Sequence, residues 1–394
     1  MSRLWDKGAP LDSRVLQYTA GDDHALDNRL VAYDVRASIA HAQMLNAQDL
    51  LSAEDCKLIC DGLTAIGKEH AQGQWQVTLD HEDGQTALET LLTERVGQAG
   101  ARVHLGRSRN DQVLTALRLY LRDAANDLNK AVLNVSAALE ALGEREANTA
   151  LPGYTHMQQA MPSSVKLWAG GFASELRDDA AALLQVQRRV GKSPLGSAAG
   201  YGTPNLPLDR AATAKALGFN EVHEPVTAVQ LSRGKAEAQL LFEITMVMQD
   251  VARLSSDLCL FYTQEFAFVS LPDAFTTGSS IMPQKRNPDV FELIRGRSAA
   301  AQAALFEVLG IVAKLPSGYQ RDLQLIKVPL FRAIDLCSET LDILAPALAE
   351  VKFRTENISM DASINAAAEA YELVKTEGIP FREAYIRVGK KYLK

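Results

Sequence analysis

The stretch that decides the fold is DQVLTALRLYLRDAANDLNKAVLNVSAALEAL, residues 111–142, which contains neither glycine nor proline. Apolar residues recur in it with alternating spacings of three and four. These residues are Leu114, Leu117, Leu121, Ala124, Leu128, Ala131, Val135, Ala138 and Leu142. The spacing predicts one long helix with an apolar seam along one side, and Gly143 is expected to end it. A helix of about 30 residues spans about 45 Å.

Similar patterns fill most of the chain. Further long helices are expected after Pro162, with Ser163 or Ser164 as the cap, along an apolar seam from Leu240 to Phe261, and from Pro288 onward. A fifth such helix is expected at about residues 330–348, and shorter helices are expected at about residues 29–46, 53–72 and 85–96. Few segments have the alternation of a strand. The pattern therefore predicts an all-α protein with a central bundle of long helices.

The change in helix length along the chain predicts three domains. We expect an N-terminal helical domain at 1–107, a central helical bundle at 108–354 and a small C-terminal helical domain at 355–394. Helices as long as the central ones exceed what a compact monomer needs, and they carry apolar stripes on more than one side. This excess predicts a homo-oligomer.

Composition excludes several classes of protein. The net charge is −7, so no basic excess is present to neutralise the phosphates of a nucleic acid. No apolar run approaches the ~20 residues that a membrane helix requires, and the opening MSRLWDKGAP does not have the pattern of a signal peptide. The four cysteines lack zinc-like spacing. The sequence thus predicts a cytoplasmic protein with no metal and no organic cofactor.

Four interruptions between helices are rich in polar side chains. They are residues 103–113, 151–164, 276–292 and 315–327. Each has an ordinary structural reading: Ser108 or Asn110 serves as a helix cap, and His156 is a hydrogen-bonded loop residue. Together they place Ser, Thr, His, Lys, Arg and Asn at helix ends, which a bundle brings into proximity. This combination favours a functional site.

The third interruption, TTGSSIMPQKRNPDVFE, has the parts of an anion site. Asn287 followed by Pro288 is typical of a helix N-cap and its first residue. Lys285 and Asn287 therefore precede a helix end that attracts anions. Gly278 permits unusual backbone conformations beside Ser279.

The pattern Gly-Ser-Ser-x-Met-Pro-x-Lys-x-Asn-Pro at residues 278–288 resembles the signature of the fumarase/aspartase superfamily. The segments HLGRSRNDQV, GYTHMQQAMPSS, PDVFELIRGR and LPSGYQRDLQ resemble its argininosuccinate lyase branch, and the likeness extends over nearly the whole chain. The resemblance implies a three-domain, mostly helical fold and splitting of argininosuccinate into arginine and fumarate. It also implies a homotetramer whose active sites are shared between subunits.

The resemblance also implies roles for individual residues. Ser279 is expected to be the general base, activated by Lys285 and the following helix end, and His156 the catalytic histidine, paired with Glu292. The fumarate-side carboxylates are expected to contact Ser108, Arg109, Asn110, Thr155, Lys285 and Asn287. The arginine half is expected to contact Tyr319, Gln324 and Lys327, with Asp27 nearby.

The sequence departs from the branch at two positions that bear on these roles. Gln85 stands where relatives usually carry a histidine, so proton transfer is expected to depend more on His156. Asp23 stands where many relatives carry a serine, and this extra charge suits either a cationic substrate end or a somewhat different substrate. The chain also ends at Lys394, where relatives usually continue.

Two alternative functions remain from the sequence. One is another fumarate-releasing lyase, such as adenylosuccinate lyase, which shares the Gly-Ser-Ser signature. The other is a non-catalytic, crystallin-like structural protein with the same fold. Retention of Ser279, His156, Lys285 and Glu292 favours an enzyme.

Overall fold

The computed structural model describes residues 12–392 of the chain. The opening MSRLWDKGAP, predicted not to be a signal peptide, lies outside the described residues. Within residues 12–392, none of the helices is both long and apolar enough to cross a membrane.

Five long helices dominate the fold and confirm the all-α prediction. They are α7 (Arg109–Arg145), α8 (Val165–Gln185), α12 (Lys235–Phe261), α13 (Asp289–Val312) and α14 (Lys327–Glu350). The predicted seam of α7 is largely buried, with Leu114, Leu117, Leu121, Leu128 and Val135 at most 2% exposed.

Gly143 does not end α7, contrary to prediction, because the helix continues to Arg145. A Cβ atom at Gly143 would lie 3.3 Å from the Cα of Lys166 and 3.6 Å from the Cβ of Ala169. Glycine therefore permits the close approach of α7 to α8 here. Ser164 is confirmed as the cap of α8, since its hydroxyl accepts the N–H of Leu167 at 3.1 Å.

Shorter helices and strands make up the rest. The shorter helices are α1 (Ser13–Ala20), α2 (Asp23–Leu26), α3 (Val31–Ala47), α4 (Ala53–Ala71), α5 (Gly84–Val96), α6 (Gln98–Ala101), α9 (Gln187–Val190), α10 (Arg210–Ala216), α11 (Val226–Leu231), α15 (Ala366–Glu377) and α16 (Phe381–Tyr392). The strands are β1 (Ala150–Thr155), β2 (Gln158–Ser164), β3 (Lys192–Ser193), β4 (Glu221–Val222), β5 (Val269–Ser270) and β6 (Lys352–Phe353).

The strands pair two by two. The pairs β1–β2 and β5–β6 are antiparallel, and β3–β4 is parallel. The β1–β2 hairpin occupies the second polar interruption, where no strand was predicted.

The chain divides into two compact units, each discontinuous in sequence. Unit 1 comprises residues 1–127, 182–244 and 302–335, and unit 2 comprises 128–181, 245–301 and 336–394. The three-domain division expected from helix length is not tested by this partition and stays a prediction.

Each unit has its own apolar core. In unit 1, α3, α4 and α5 pack around side chains that are almost fully buried, among them Leu45, Ile59, Leu63 and Leu92. Hydroxyl and carboxylate caps at Ser52 and Asp83 start α4 and α5. In unit 2, α15 and α16 pack around Ala370, Ala384 and Val388.

Candidate functional site

Two of the polar interruptions, residues 103–113 and 315–327, line one cavity of about 170 Å³ in unit 1. We call it the charged cavity. Its walls include Asp23, Glu82, Asp83, Gln85, Arg109, Asn110, Tyr319, Arg321, Gln324 and Lys327. Five of the predicted substrate contacts, Arg109, Asn110, Tyr319, Gln324 and Lys327, are therefore brought together.

Lys327 is held between two carboxylates. Its ammonium lies 2.6 Å from Asp27 Oδ1 and 2.9 Å from Asp23 Oδ1. The other oxygen of Asp27 accepts the N–H of Gly84 at 2.9 Å. Burial lowers the pKa of Lys327, but attraction to Asp27 and Asp23 outweighs it and leaves that pKa above its ordinary value. Lys327 is therefore charged and already paired.

The two arginines of the cavity are also paired with carboxylates. Arg109 Nη1 lies 3.0 Å from Asp83 Oδ2 and 3.7 Å from Glu82 Oε2. Arg321 Nη2 lies 3.1 Å from Glu82 Oε1 and donates to the carbonyl of Thr19 at 2.8 Å. Glu82, Asp83 and Arg321 were not selected from the sequence. The first two precede Gln85 in the segment noted for its missing histidine, and Arg321 lies within the fourth interruption.

Gln324 and Tyr319 are positioned by neighbours in unit 1. The Gln324 amide donates to the carbonyls of Thr19 and Ala20 at 2.9 and 3.1 Å. The guanidinium of Arg233, which is 6% exposed, lies 5.3 Å from the centre of the Tyr319 ring. Both contacts fix side chains that were predicted to hold substrate.

The segment Ser108–Asn110 is held in place by Asp111. This carboxylate is 0% exposed and accepts three backbone N–H groups at 2.9 Å, from Ser108, Gly196 and Ala198. Burial raises its pKa to about 6, opposed by these hydrogen bonds. No local sequence pattern indicated this role of Asp111, because Gly196 and Ala198 lie more than 80 positions away in the chain.

Gln85 makes a buried contact of its own. Its amide donates to Asp34 Oδ2 at 3.1 Å, and burial raises the pKa of Asp34 above its ordinary value. The glutamine is only 5% exposed. It thus satisfies a buried carboxylate and cannot exchange protons as an imidazole does.

The signature loop at 276–292 lies in unit 2. Thr277 and Asn287 exchange backbone hydrogen bonds of 3.2 and 2.9 Å, which close the loop. Helix α13 begins at Asp289, one residue later than predicted, because the Pro288 carbonyl accepts the N–H groups of Phe291 and Glu292. The capping position is therefore Pro288 and not Asn287.

Ser279 lies half-buried on this loop. Its hydroxyl oxygen accepts the backbone N–H groups of Met282 at 3.2 Å and Ile281 at 3.4 Å. Gly278 does not adopt a left-handed φ, contrary to the expectation of an unusual backbone there. A Cβ at Gly278 would meet only the side chain of Arg286, at 3.8 Å.

The loop forms one wall of a second cavity in unit 2, of about 1060 Å³. We call it the signature-loop cavity. Lys285, Asn287 and Glu292 line it, together with Met157, Asp257 and Arg295. Lys285 and Asn287 thus lie beside the N-terminus of α13, where an anion is favoured.

Thr155 and His156 lie at the tip of the β1–β2 hairpin. His156 and Met157 form its two-residue turn, with φ of 53° and 60°, as a type I′ turn requires. His156 is exposed and faces a third cavity of about 420 Å³, which Tyr154, Trp168 and Asp257 also line. This is the hairpin cavity.

The predicted pair of His156 and Glu292 is not formed within one chain. In the part of the chain that the structure describes, no hydrogen bond or ion pair joins them. They line different cavities, and both are exposed. Among residues 12–392, no group of three or more His, Cys, Asp or Glu side chains is arranged to hold a metal ion.

Comparison with known proteins agrees with the resemblance found in the sequence. Residues 13–303 match the protein family described as lyase. The chain is 47% identical over 389 residues to the argininosuccinate lyase of Sorangium cellulosum, covering 98% of this chain and 90% of that protein. It is 38% identical over 392 residues to the argininosuccinate lyase of Thermotoga neapolitana, covering 99% and 98%.

Solved structures share the fold. An EDDS lyase in complex with formate aligns with a TM-score of 0.82 at 24% identity, over 97% of this chain and 76% of that one. The class II fumarase of Schistosoma mansoni aligns with a TM-score of 0.77 at 18% identity, over 97% and 93%. At these identities the likeness establishes the fold.

Proposed function

The chain belongs to the argininosuccinate lyase family, and we propose that it catalyses the reversible β-elimination of argininosuccinate to arginine and fumarate, a step that yields arginine. One observation carries the proposal. Each of the four polar interruptions selected from the sequence lines a cavity. Two of the interruptions line the charged cavity in unit 1, and the other two line the signature-loop and hairpin cavities in unit 2. In a purely structural protein, polar loops are not expected to line cavities in this way.

The elimination begins with removal of a weakly acidic proton next to a carboxylate. We assign this step to Ser279. A free hydroxyl is a poor base, but the N–H groups of Met282 and Ile281 point at its oxygen and stabilise the alkoxide form. The positive end of the α13 dipole and the charge of Lys285 also stabilise the alkoxide.

Proton loss leaves a dianionic aci-carboxylate, which needs positive charge and N–H donors. We assign its binding to Lys285 and Asn287 in the signature-loop cavity, and to Thr155 and the Ser108–Asn110 segment. Asp111 keeps that segment fixed through the Ser108 N–H. The fixed donors need not reorganise as charge develops, which lowers the barrier.

The leaving nitrogen must be protonated or leave as a stabilised cation. We assign proton transfer to His156, oriented by Glu292. We assign the arginine half to the charged cavity, in contact with Tyr319 and Gln324 and next to the Lys327–Asp27 pair.

The site residues belong to two units, and we propose that a homotetramer completes each active site with residues from more than one subunit. This includes the meeting of His156 with Glu292. Apolar side chains on the long helices support association. Those exposed by 41–62% include Leu133, Phe242, Leu293, Phe306, Leu309 and Ile343. These side chains are already about half-buried, so covering the remainder is favourable by about 1 kcal/mol each. We further propose a cytoplasmic location, consistent with the four unpaired cysteines.

The test is direct. Purified protein is incubated with argininosuccinate, and fumarate is followed by its absorbance, with adenylosuccinate as the control substrate. We expect fumarate from argininosuccinate only. Release from adenylosuccinate alone would assign the chain to a different lyase, and release from neither would contradict the proposed reaction.

Sharing of sites between subunits has its own test. Ser279→Ala and Arg109→Ala are each expected to abolish turnover. Hybrid oligomers formed by refolding the two variants together should regain part of the activity, because some sites then combine intact residues from different chains. Hybrids as inactive as their parents would place each site within one chain.

A further inference from the structure

The hairpin cavity has an aromatic wall that the mechanism above does not use. Of its lining, the mechanism uses only His156. The wall is formed by the side chains of Tyr154, Trp168, Phe261 and Phe266. The cavity volume of about 420 Å³ falls in the range of about 300–1,000 Å³ that is typical of small-molecule sites. The size and the lining together indicate a binding site.

The rings of this wall are fixed by contacts with one another. The ring centres of Trp168 and Phe261 lie 5.7 Å apart at an interplanar angle of 57°. Those of Tyr154 and Phe266 lie 6.3 Å apart, edge to face. The face of an aromatic ring is negative and attracts a cation within about 6 Å of the ring centre. The wall therefore favours a cationic ligand over an anionic one.

Asp257 supplies a counter-charge for such a cation. Of the described residues that line the hairpin cavity, it alone carries a formal charge when His156 is neutral. Its Oδ2 accepts the indole N–H of Trp168 at 2.9 Å. Burial raises the pKa of Asp257, opposed by this hydrogen bond and by attraction to Arg253. A cation bound beside the carboxylate would offset the cost of its burial.

The cations of unit 2 that lie near Asp257 do not pair with it. The side chain of Arg253 is 79% exposed and lies 3.8 Å from Asp250. Three further cations line the signature-loop cavity, which Asp257 also borders: Lys285, Arg286 and Arg295. Within residues 12–392, none of these four cations forms an ion pair with Asp257. Its second oxygen is therefore available to a ligand.

A single available oxygen distinguishes between two kinds of cation. A guanidinium pairs best with both oxygens of one carboxylate, and Trp168 already occupies one oxygen of Asp257. An ammonium is a compact point charge, which one carboxylate oxygen and nearby ring faces can hold. The geometry thus favours an ammonium group.

We propose that the hairpin cavity binds a small ligand through an alkylammonium group, held between the Asp257 carboxylate and the aromatic wall. The bound ligand lies beside His156, which lines the same cavity. It should therefore lower turnover by hindering proton transfer, a consequence that rests on the proposed function. The binding itself does not depend on that function.

The test uses three probes with the same four-carbon chain: butylammonium, butylguanidinium and 1-butanol. Titrations of the purified protein follow tryptophan fluorescence, and titration of Trp168→Phe gives the change that does not arise at this cavity. Wild-type protein should bind butylammonium at least about tenfold more tightly than 1-butanol, because the alcohol lacks the charge. Butylguanidinium should bind more weakly than butylammonium.

Asp257→Asn should weaken butylammonium at least about tenfold and leave 1-butanol unchanged. The asparagine oxygen still accepts the Trp168 N–H, so the fold should be retained. Asp257→Glu keeps the charge and should retain the preference for butylammonium over 1-butanol. The matched control is Asp250→Asn, two turns earlier on α12, since Asp250 is 18% exposed and lies outside the cavity lining. It should change none of the affinities.

Equal affinity of wild-type protein for butylammonium and 1-butanol overturns the inference, as does equal weakening by Asp257→Asn and Asp250→Asn. Tighter binding of butylguanidinium overturns the assignment to an ammonium. Sedimentation with butylammonium gives a further check, because dissociation of an oligomer would assign the cavity to a side chain of a second copy and overturn the small ligand. None of these measurements needs turnover. A protein that binds as expected but does not cleave argininosuccinate therefore contradicts the proposed reaction and retains this inference.

Discussion

The ammonium of Lys327 lies 2.6 Å from Oδ1 of Asp27, although the two residues are 300 positions apart in the chain. Both are nearly inaccessible to solvent, at 3% and 1% exposure. The pair joins the start of α14 to the 3₁₀ turn Asp27–Arg29. It therefore connects two distant parts of unit 1 at the wall of the charged cavity.

Removing the lysine should destabilise the protein. Lys327→Met leaves Asp27 and Asp23 buried without their shared cation, so we expect the free energy of unfolding to fall by about 3–5 kcal/mol. Denaturant unfolding measures this loss. The double variant Lys327→Met, Asp27→Asn should recover part of it, and a single variant as stable as wild type would show that the pair does not matter for folding.

Replacing the assigned base should remove turnover and leave the fold intact. Ser279→Ala should lower kcat at least about 100-fold, with unchanged circular dichroism and thermal unfolding, because the side chain lies half-buried on a loop. The matched control is Ser280→Ala, which alters the adjacent exposed serine and should retain more activity. The assignment fails if both variants turn over alike.

The hairpin turn allows His156 to be tested without changing the backbone. His156 has φ of 53°, a conformation that asparagine tolerates. His156→Asn should therefore keep the melting temperature while kcat falls at least about 100-fold. Met157→Asn, with φ of 60°, is the control for changing the same turn. Near-normal kcat in His156→Asn would remove the histidine from proton transfer.

Buried His41 should make the protein sensitive to acid. It is 0% exposed, and its Nε2 lies 2.9 Å from the Leu105 carbonyl. Burial, followed by repulsion from Arg107, lowers its pKa from 6.5 to about 3. The unfolded chain therefore binds a proton that the folded chain does not. Stability from this group is present above pH 6.5 and is lost as pH falls toward 3, by an amount on the order of 4 kcal/mol.

The check is unfolding measured between pH 7 and pH 4. His41→Gln should lose stability less steeply than wild type as the pH falls, whereas His24→Gln, a change at a half-buried histidine, should follow the wild-type curve. Parallel curves for His41→Gln and wild type would assign the acid sensitivity to other groups.

Sequence reasoning was most accurate where the signal is local. The apolar spacing of α7 and α12 predicted both helices, and Ser164 was recognised as a possible cap. Sequence reasoning was least accurate where a contact with a residue distant in the chain determines the local structure. Gly143 has the local signature of a helix end, yet it lies inside α7 because α8 packs against it. The β1–β2 hairpin was missed because His156 and Met157 at its turn are neither glycine nor asparagine.

The sequence by itself determined the helical fold, the places where helices break and the family to which the chain belongs, because periodicity, caps and motifs are properties of neighbouring residues. Only the tertiary structure decided how the charges pair. Asp111 fixes residues 196–198, and Asp23 and Asp27 share Lys327. Such pairings depend on which side chains are buried together, since Coulomb interactions strengthen as water is excluded. Burial is not a local property of the chain.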